Sequence, residues 1–474
     1  MKLRRVAALA MAGVMAASLA ACGNKDDGNG DKPSANTQGG DSSEVSDSGI
    51  IEYADLDLDK DCKDLTAEIN FSSNRTDLDA DDYAGKNWKA YIEDFNKLYP
   101  NIKVNVNTIT DYDQSLQTYL QSGEYDEVVC VPTVDKADLG EYFRSYGSYD
   151  TISQTINYAD NTMYDNEVYG IPSTANASGV VYNKKVFEQA GITELPKTPS
   201  EFIDALKKIK ENCKGVDPLY TNYAAGWALS GQWDGFIGLA ATGDPEYKNQ
   251  KLVHTKDPFR DYGDDTHAYA VYKILYDAVK EGLTEDDYMT TDWEGSKPRM
   301  NNGEIGCMVL GSWALPQMKI AGDNPDDVGY MAFPITVDGK QYAAASADRG
   351  YGIKKDLDDN TTQAALIFVK WLVERSQYAY NEFSLPVVKG ADTQLSFDNV
   401  ELLQDEPVKE GEEDYLNMIN STSEVNIDQD GDGVRLQRII EAAATGSESY
   451  DDIVADWNQK WNDAMDAEGI EALE

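Results

Sequence analysis

Strand and helix patterns alternate along residues 65–131, and this alternation limits the fold more than any other feature of the sequence. Residues 65–71 alternate between apolar and polar types, which predicts a first strand. Apolar residues at helical spacing follow until Pro100, and short strand patterns recur at 102–106 and 128–131. The order strand, helix, strand, helix, strand is typical of a doubly wound, mostly parallel α/β sheet.

Local signals mark where two of the helices begin. Asp113 is predicted to cap the second helix, which Gly123 ends. Farther along, Thr198 precedes Pro199, and Glu201 follows at the spacing of a capping box. These signals predict helices that begin near residues 113 and 199.

The chain has 474 residues, which is more than one hydrophobic core supports. Beyond residue 64, roughly 410 residues remain for folded structure, and this length favours two lobes. After residue 21, no stretch of the sequence is apolar over the about 20 residues that a membrane-spanning helix needs. The sequence therefore predicts a two-lobed body outside the bilayer.

The first 21 residues have the organisation of an export signal. A basic start precedes an apolar run over residues 6–21, and small residues close the run. Residues 19–22, Leu-Ala-Ala-Cys, resemble the bacterial lipobox, in which the cysteine receives lipid and the preceding peptide is removed. We predict a lipoprotein signal peptide at residues 1–21 and lipidation of Cys22. An ordinary secretory signal with a chance cysteine is the alternative.

Residues 22–64 are predicted to form a lipidated, disordered tether. The stretch 23–48 is mostly Gly, Asn, Asp and Ser, and it has too few apolar side chains to offset the entropy of ordering the chain. A lipid on Cys22 would hold the protein on the extracellular face of the cell membrane.

Charge and histidine content exclude several classes of function. The formal charge is -44, which repels phosphate backbones and makes nucleic acid an unsuitable partner. The sequence has only two histidines, His254 and His267, and no HExxH, GxSxG or P-loop motif. Few residues could therefore serve as the histidine base of a serine or cysteine hydrolase, and we predict that the protein is not an enzyme. The sparse cysteines Cys62, Cys130, Cys213 and Cys307 are predicted to be free thiols.

Four segments in order between residues 170 and 458 carry a resemblance to a known family. They are 170–198 (Gly-Ile-Pro, Tyr-Asn-Lys, Ala-Gly and Pro-Lys-Thr in order), 302–313 (Asn-Gly-Glu-Ile-Gly-Cys-Met-Val-Leu-Gly-Ser-Trp), 352–374 (Gly-Ile-Lys-Lys and the helix after it) and 436–458 (Leu-Gln-Arg-Ile-Ile to Asp-Trp-Asn). In these segments the chain resembles the bacterial extracellular solute-binding proteins of sugar ABC transporters, the group that includes maltose-binding protein.

The resemblance implies an α/β, periplasmic-binding-protein-like fold of two lobes, with mostly parallel sheets and hinge strands. The chain would cross between the lobes near residues 172–177, 345–352 and 385–390. Lobe 1 would comprise residues 65–175 and 350–388. Lobe 2 would comprise residues 176–348 and 390–474. The ligand would lie between the lobes.

Aromatic residues are the first candidates for holding such a ligand, because sugars have apolar faces that pack on flat rings. Trp227 and Trp233 lie in a loop rich in Gly, Ser and Ala, where tryptophans are often displayed for binding. Trp313 matches a position at which the family places an aromatic residue against the sugar. Trp293 is a further candidate. Packing in the core is the alternative for each of them.

Charged residues at predicted strand ends complete the candidate binding site. Arg75 and Asp77 follow the first strand, at the edge where ligands of open α/β sheets collect. Asp348 lies at the second inferred crossing, and Arg435 lies in a segment that is near the cleft in the family. The arginine guanidinium donates hydrogen bonds and the aspartate carboxylates accept them, so both suit sugar hydroxyls. For Arg75 and Asp77, the alternative is an ion pair on the surface.

The segment 428–433 is a candidate calcium loop. Asp428, Asp430 and Asp432 occupy its first, third and fifth positions, as in a calcium-binding loop. Ile439 stands at the twelfth position, where a bidentate Glu is needed. The alternative is an acidic turn that caps the following helix, and no cofactor is otherwise required.

Three functions remain open from the sequence. The first, which we favour, is an extracellular lipoprotein that captures a sugar or oligosaccharide and delivers it to the permease of an ABC importer, acting as a monomer. The second is a surface glycoside hydrolase, which would need two carboxylates about 5 to 10 Å apart. The third is a binding protein for another solute, such as a peptide or polyamine.

Overall fold

The computed structural model describes residues 49–80, 83, 85–395, 400–409 and 411–473. The predicted signal peptide, the lipidation site Cys22 and the tether up to residue 48 lie outside the described residues. Within the described ranges, no helix has both the length and the apolar character needed to cross a membrane.

The strands of the described chain are short and lie in several sheets. In chain order they are β1 Ala67–Ser73, β2 Ile102–Thr108, β3 Val128–Cys130, β4 Met163–Tyr164, β5 Glu167–Val168, β6 Ile171–Pro172, β7 Ala175–Ala177, β8 Val180–Asn183, β9 Asp217–Leu219, β10 Ile305–Val309, β11 Val328–Met331, β12 Gln341–Ala347, β13 Gly350–Ile353 and β14 Val400–Leu403.

Helices cover these sheets. They are α1 Trp88–Leu98, α2 Tyr112–Ser122, α3 Leu139–Tyr142, α4 Tyr149–Ile152, α5 Lys184–Gln189, α6 Pro199–Asn212, α7 Gly226–Asp234, α8 Leu239–Thr242, α9 His267–Lys280, α10 Trp293–Asn301, α11 Ala314–Ile320, α12 Asp359–Glu374, α13 Tyr378–Asn381, α14 Tyr415–Ser423, α15 Val434–Thr445 and α16 Tyr450–Glu468. Single 3-10 turns lie at Thr76–Asp79, Lys136–Asp138, Ala159–Thr162, Leu252–His254, Tyr288–Thr290 and Pro325–Asp327, and a π-helical turn lies at Tyr247–Lys251.

The first sheet has the strand order β2-β1-β3-β13-β6. β1 pairs in parallel with β2 and β3, as the alternation of strand and helix patterns predicts, and Ile69 and Phe71 of β1 are fully buried. β13 runs antiparallel to both of its neighbours. The carboxyl ends of β1 and β3 therefore meet the amino end of β13 at one edge of the sheet.

The second sheet has the order β11-β8-β10-β9 and its own hydrophobic core. β8 pairs antiparallel with β10 and β11, whereas β9 pairs in parallel with β10. Two sheets with helices confirm the predicted α/β class. The parallel pairing that the sequence indicates is concentrated in β1–β3. The antiparallel pairs arise where strands that connect the sheets enter them from the opposite direction.

Within its described residues, the chain passes between the two sheets three times. It leaves the first sheet after β6 and enters the second at β8, and it returns from β11 through β12 to β13. After Leu385, which bridges to Ala175, it continues to helices α14–α16, which pack in the core of the second sheet. β7 and β12 pair antiparallel between the two sheets, so the three crossing segments lie side by side.

Residues 49–64 pack against the first sheet and its helices, so the prediction that the disordered tether extends to residue 64 is wrong. Tyr53, Leu56 and Leu58 are buried there. The backbone N–H of Ile51 donates to the side chain of Gln363 at 2.8 Å. These apolar side chains offset the ordering entropy, whereas residues 23–48 of the sequence have few of them.

The described cysteines Cys62, Cys130, Cys213 and Cys307 are free thiols, as the sequence predicts. Cys130 and Cys307 lie within strands and are buried. Burial raises the pKa of the Cys130 thiol to about 12, so this side chain acts as a small apolar group of the core.

Candidate functional site

Three tryptophans form one wall of a cleft beside the second sheet. The ring centroid of Trp313 lies 5.8 Å from that of Trp227 and 5.5 Å from that of Trp293. The centroids of Trp227 and Trp293 are 5.4 Å apart. Their planes are inclined to one another by 42° to 80°. Trp227 remains 45% exposed. Trp293 and Trp313 pack partly against the core, and all three rings also line the cleft.

Local structure holds each tryptophan in place. Trp293 begins α10, and the Asp292 carboxylate caps that helix by accepting from the backbone N–H of Gly295 at 3.0 Å. Trp313 directly precedes α11, and the neighbouring Gly311 N–H donates to the Gln232 side chain at 2.7 Å. Gln232 lies in α7, the helix that carries Trp227, so α7 and the Trp313 turn are joined directly.

An ion cluster beyond the carboxyl end of β1 forms the opposite wall. The Arg75 guanidinium lies 2.8 Å from Asp77 and 2.7 Å from Glu382, and it donates to the Tyr378 hydroxyl at 3.2 Å. Burial opposes the charge on Asp77, but the hydrogen bond and charge of Arg75 outweigh it and hold the pKa of Asp77 below its usual value. This wall therefore offers carboxylate oxygens in fixed positions.

Asp348 and Arg349 lie between these walls, just before β13. Both nitrogens at the end of the Arg349 fork donate to the Asp113 carboxylate, with N···O distances of 2.8 and 2.5 Å. Asp113 was predicted to cap α2, and this prediction is wrong because its carboxylate instead pairs with Arg349 from within the first turn. Burial opposes ionisation of Asp113, but Arg349 and the Thr133 N–H outweigh it and lower the pKa of Asp113.

These groups enclose a cavity of about 660 Å³. Most of the predicted binding residues line it, namely Arg75, Asp77, Trp227, Trp293, Trp313 and Asp348. The cavity thus joins tryptophan faces on one side with charged hydrogen-bonding groups on the other. This combination suits a molecule with apolar faces and hydroxyl edges.

Two predicted binding residues do not reach the cavity. Trp233 is buried in the core, where its ring lies 5.8 Å from that of Phe333. Arg435 is also buried and forms an ion pair with the fully buried Asp234. Trp233 lies six residues after Trp227 in α7 and therefore faces away from it. We do not include Trp233 and Arg435 in the site.

The candidate calcium loop has a different role in this fold. The Asp430 carboxylate accepts from the backbone N–H groups of Val434 and Arg435, at 3.0 and 2.8 Å, and so caps α15. Asp428 pairs with Lys248 at 3.0 Å. Among the described residues, Asp432 included, no three His, Cys, Asp or Glu side chains lie together as a metal ion would need. We therefore do not propose calcium as a ligand here.

The same acidic turn supports the tryptophan wall. A Cβ atom built on Gly226 would lie 2.1 Å from the backbone oxygen of Asp432, so the two backbones are in direct contact. Gly226 is the first residue of α7 and directly precedes Trp227. The turn therefore fixes the start of the helix that presents Trp227.

The two histidines have structural partners outside the cavity. The His267 ring stacks on Tyr262 with centroids 3.8 Å apart, and burial lowers the pKa of His267. The Nδ1 atom of His254 lies 2.7 Å from the backbone oxygen of Glu471. Neither histidine lines the cavity.

Several cavity residues were missed in the sequence, above all Glu382 and Tyr378. They lie in and just after α13, shortly before the third inferred crossing at 385–390. Crossing segments border the cleft, so closeness to the third crossing was the one signal that could have identified these two residues. Nothing in the local pattern distinguished one glutamate among the 85 acidic residues of the chain.

Two sheets with separate helices, three crossing segments and a cavity between the sheets define a two-lobed solute-binding protein. The model of the bacterial extracellular solute-binding protein family matches residues 80–379, and the chain belongs to this family. The resemblance noted in the sequence is therefore confirmed. The multiple sugar-binding protein of Streptococcus mutans is 26% identical over 304 residues, which are 61% of this chain and 68% of that protein.

Two solved structures are more similar in sequence to this chain than the Streptococcus mutans protein is. The binding protein BlMnBP1 of an ABC transporter from Bifidobacterium animalis subsp. lactis, in complex with mannobiose, is 50% identical with a TM-score of 0.81. The match covers 88% of this chain and 99% of that one. The manno-oligosaccharide-specific BlMnBP2 of the same organism, in complex with mannotriose, is 49% identical with a TM-score of 0.80, over 88% and 99% of the two chains.

Proposed function

We propose that this protein captures a manno-oligosaccharide outside the cell and delivers it to the permease of an ABC importer. One observation carries this proposal: the Trp227, Trp293 and Trp313 wall faces the ion cluster of Arg75, Asp77 and Glu382 across one cavity. The tryptophans would stack on sugar faces, and the charged groups would bond the hydroxyls. The similarity to BlMnBP1 and BlMnBP2 supports mannose units as the ligand.

The proposed mechanism is closure of two lobes on the sugar. We propose that residues 65–175 and 350–388 form lobe 1, together with the packed segment 49–64. Residues 176–348 and 390–474 form lobe 2. The ion cluster belongs to lobe 1 and the tryptophan wall to lobe 2, so one sugar bridges both. Closure is favoured because contacts to both walls exist together only in the closed state.

We further propose that the protein works as a monomer held by lipid on Cys22 after removal of residues 1–21. The polar stretch before residue 49 would act as the tether. Anchoring raises the concentration of loaded protein near the permease without any new contact. No catalytic step and no cofactor are part of this function, and the family to which the chain belongs consists of binding proteins.

The test is isothermal titration calorimetry of the folded protein with mannobiose and mannotriose. We expect binding of both, and we expect Trp313→Ala to weaken it by about fivefold or more, since an aromatic contact contributes about 1 kcal/mol. Tyr164→Ala is the matched control, because Tyr164 is an exposed aromatic residue outside the cavity. Unchanged affinity in folded Trp313→Ala would contradict the role of the tryptophan wall.

Product analysis after prolonged incubation with mannotriose separates capture from hydrolysis. We expect the trisaccharide to be recovered intact. Release of mannose or mannobiose at a rate that depends on protein concentration would overturn the proposal of a binding function in favour of a glycoside hydrolase.

A further inference from the structure

A second compartment lies beside the cavity, at the edge of the first sheet. It has a volume of about 350 Å³. The segment after β3 with Thr133 and Lys136, the 3-10 turn with Asn161, and residues next to β13 line it. Asp348 and Arg349 line this compartment and also the tryptophan cavity. These two residues form the boundary that the compartments share.

Sheet topology explains why the two compartments are neighbours. β1 and β3 are adjacent parallel strands, so the segments after them lie at the same edge of the sheet. The segment after β1 carries Arg75 and Asp77 of the tryptophan cavity, and the segment after β3 carries Thr133 of the second compartment. A ligand that extends along this edge passes from one compartment into the other.

Hydrogen bonds fix the polar groups of the second compartment. The Asp113 carboxylate that holds Arg349 also accepts from the Thr133 N–H at 3.0 Å. The Asn161 side chain donates to the backbone oxygen of Asp348 at 3.3 Å, and the Lys136 ammonium donates to the backbone oxygen of Asp160 at 3.0 Å. These bonds restrain the side chains, so a ligand does not have to order them.

The chemistry of the compartment differs from that of the tryptophan cavity. Among the described residues that line it, none is aromatic, and its apolar part consists of small aliphatic side chains such as Val131 and Val134. Lys136 and Arg349 oppose Asp348, so charges of both signs are present. Such a surface suits a neutral polyhydroxylated unit held by hydrogen bonds, without stacking.

We propose that the second compartment binds the continuing sugar units of an oligosaccharide whose first units occupy the tryptophan cavity. This inference rests on the proposed function and adds to it a preference for longer chains. A net contribution of about 0.5–1.5 kcal/mol per hydrogen bond corresponds to about 2- to 13-fold tighter binding for each bond gained. The protein would therefore bind mannotetraose more tightly than mannobiose.

The test compares mannobiose and mannotetraose by isothermal titration calorimetry. The test variants are the double change Lys136→Ala with Asn161→Ala, and the single change Asn161→Trp, which fills the compartment. Lys136 and Asn161 are both exposed, so we expect these substitutions to leave the fold intact. The matched control is Lys103→Ala with Asn105→Ala, which removes an equivalent pair from β2 that bonds Glu68 outside both compartments.

Wild type should bind mannotetraose more tightly than mannobiose, and we expect the test variants to lose most of this difference. Their affinity for mannobiose should stay within about twofold of wild type. The inference is overturned if wild type binds both sugars equally, or if mannotetraose binding is unchanged in both test variants. It is also overturned if both sugars weaken in parallel. Failure of wild type to bind either sugar would overturn the proposed function itself and this inference with it.

Discussion

The Arg75 guanidinium lies 2.7 Å from one carboxylate oxygen of Glu382, and the two residues are 307 positions apart in the chain. The Tyr83 hydroxyl donates to the same oxygen at 3.1 Å. No described residue donates a hydrogen bond to the other oxygen, Oε1, although Glu382 is only 2% exposed and lines the cavity. A buried acceptor without a donor is costly, and a ligand hydroxyl would satisfy it.

Glu382→Gln is therefore expected to weaken sugar binding by about tenfold or more, since a hydrogen bond to a charged group contributes about 1.5–3 kcal/mol. The amide keeps the shape of the side chain but removes the charge that faces Arg75. Titration calorimetry measures the affinity, and Glu401→Gln in β14, an exposed glutamate outside the cavity, is the control. Equal affinities of folded Glu382→Gln and wild type would show that Oε1 receives no ligand hydroxyl.

Gly226→Ala is expected to destabilise the fold by about 1–3 kcal/mol and to weaken sugar binding as well. The added Cβ overlaps the backbone oxygen of Asp432, so the start of α7 and Trp227 must move. Gly231→Ala is a matched control in the same helix, because its Cβ would meet no atom within 4 Å. That control is expected to be neutral or stabilising. Denaturant unfolding and sugar titration check both variants, and wild-type binding by Gly226→Ala would refute the supporting role of the turn.

Arg435→Leu is expected to lower the free energy of unfolding by about 3–5 kcal/mol, because it leaves the buried carboxylate of Asp234 without its charge partner. Sugar affinity of the folded protein should stay within about twofold of wild type. Adding Asp234→Asn to the variant should recover part of the stability. A loss of sugar binding at unchanged stability would instead support Arg435 as a binding residue.

Glu285 makes the stability depend on pH. Burial raises its pKa to about 7, and its carboxylate accepts from the Thr221 N–H at 3.0 Å and from the Thr221 hydroxyl. Between its ordinary pKa of about 4.5 and pH 7, the unfolded chain releases this proton while the folded protein keeps it. The contribution of Glu285 to stability therefore falls as the pH rises through this window.

Glu285→Gln should remove that pH dependence. Relative to wild type, the free energy of unfolding of the variant should therefore rise by on the order of 3 kcal/mol between pH 4.5 and pH 7.5. The measurement is the difference in free energy of unfolding between variant and wild type at each pH. Asp286→Asn is the control, because that side chain is almost fully exposed. A difference that does not change with pH would show that Glu285 is ionised in the fold as it is in water.

Local patterns predicted several elements well. α1 ends at Leu98, before Pro100, and α2 is followed by Gly123 in the left-handed conformation. Thr198 caps α6, and Pro199 is its first residue. These features depend on interactions within a few residues, which a sequence displays directly.

Candidate residues named from the sequence line the cavity where a local context stood for a place in the fold. Arg75 and Asp77 were found because they follow a strand, and strands of one direction end at one edge of a sheet. Trp227 and Trp233 shared one loop-like context, yet only Trp227 lines the cavity, because the segment is the helix α7 and its faces differ. Glu382 was missed because its partner Arg75 is brought to it only by folding.

The sequence by itself determined the α/β class, the family and the kinds of side chain available for a ligand, because periodicity, caps and motif order are properties of neighbouring residues. The tertiary structure alone decided which of those side chains meet. Two tryptophans from separate helices, Trp313 from the turn before a third helix and one arginine–glutamate pair converge on one cavity. The acidic turn supports the cavity wall from behind, whereas Arg435 pairs with Asp234 in the core. Contacts between distant residues depend on how the sheets and helices pack, and packing is a property of the whole fold.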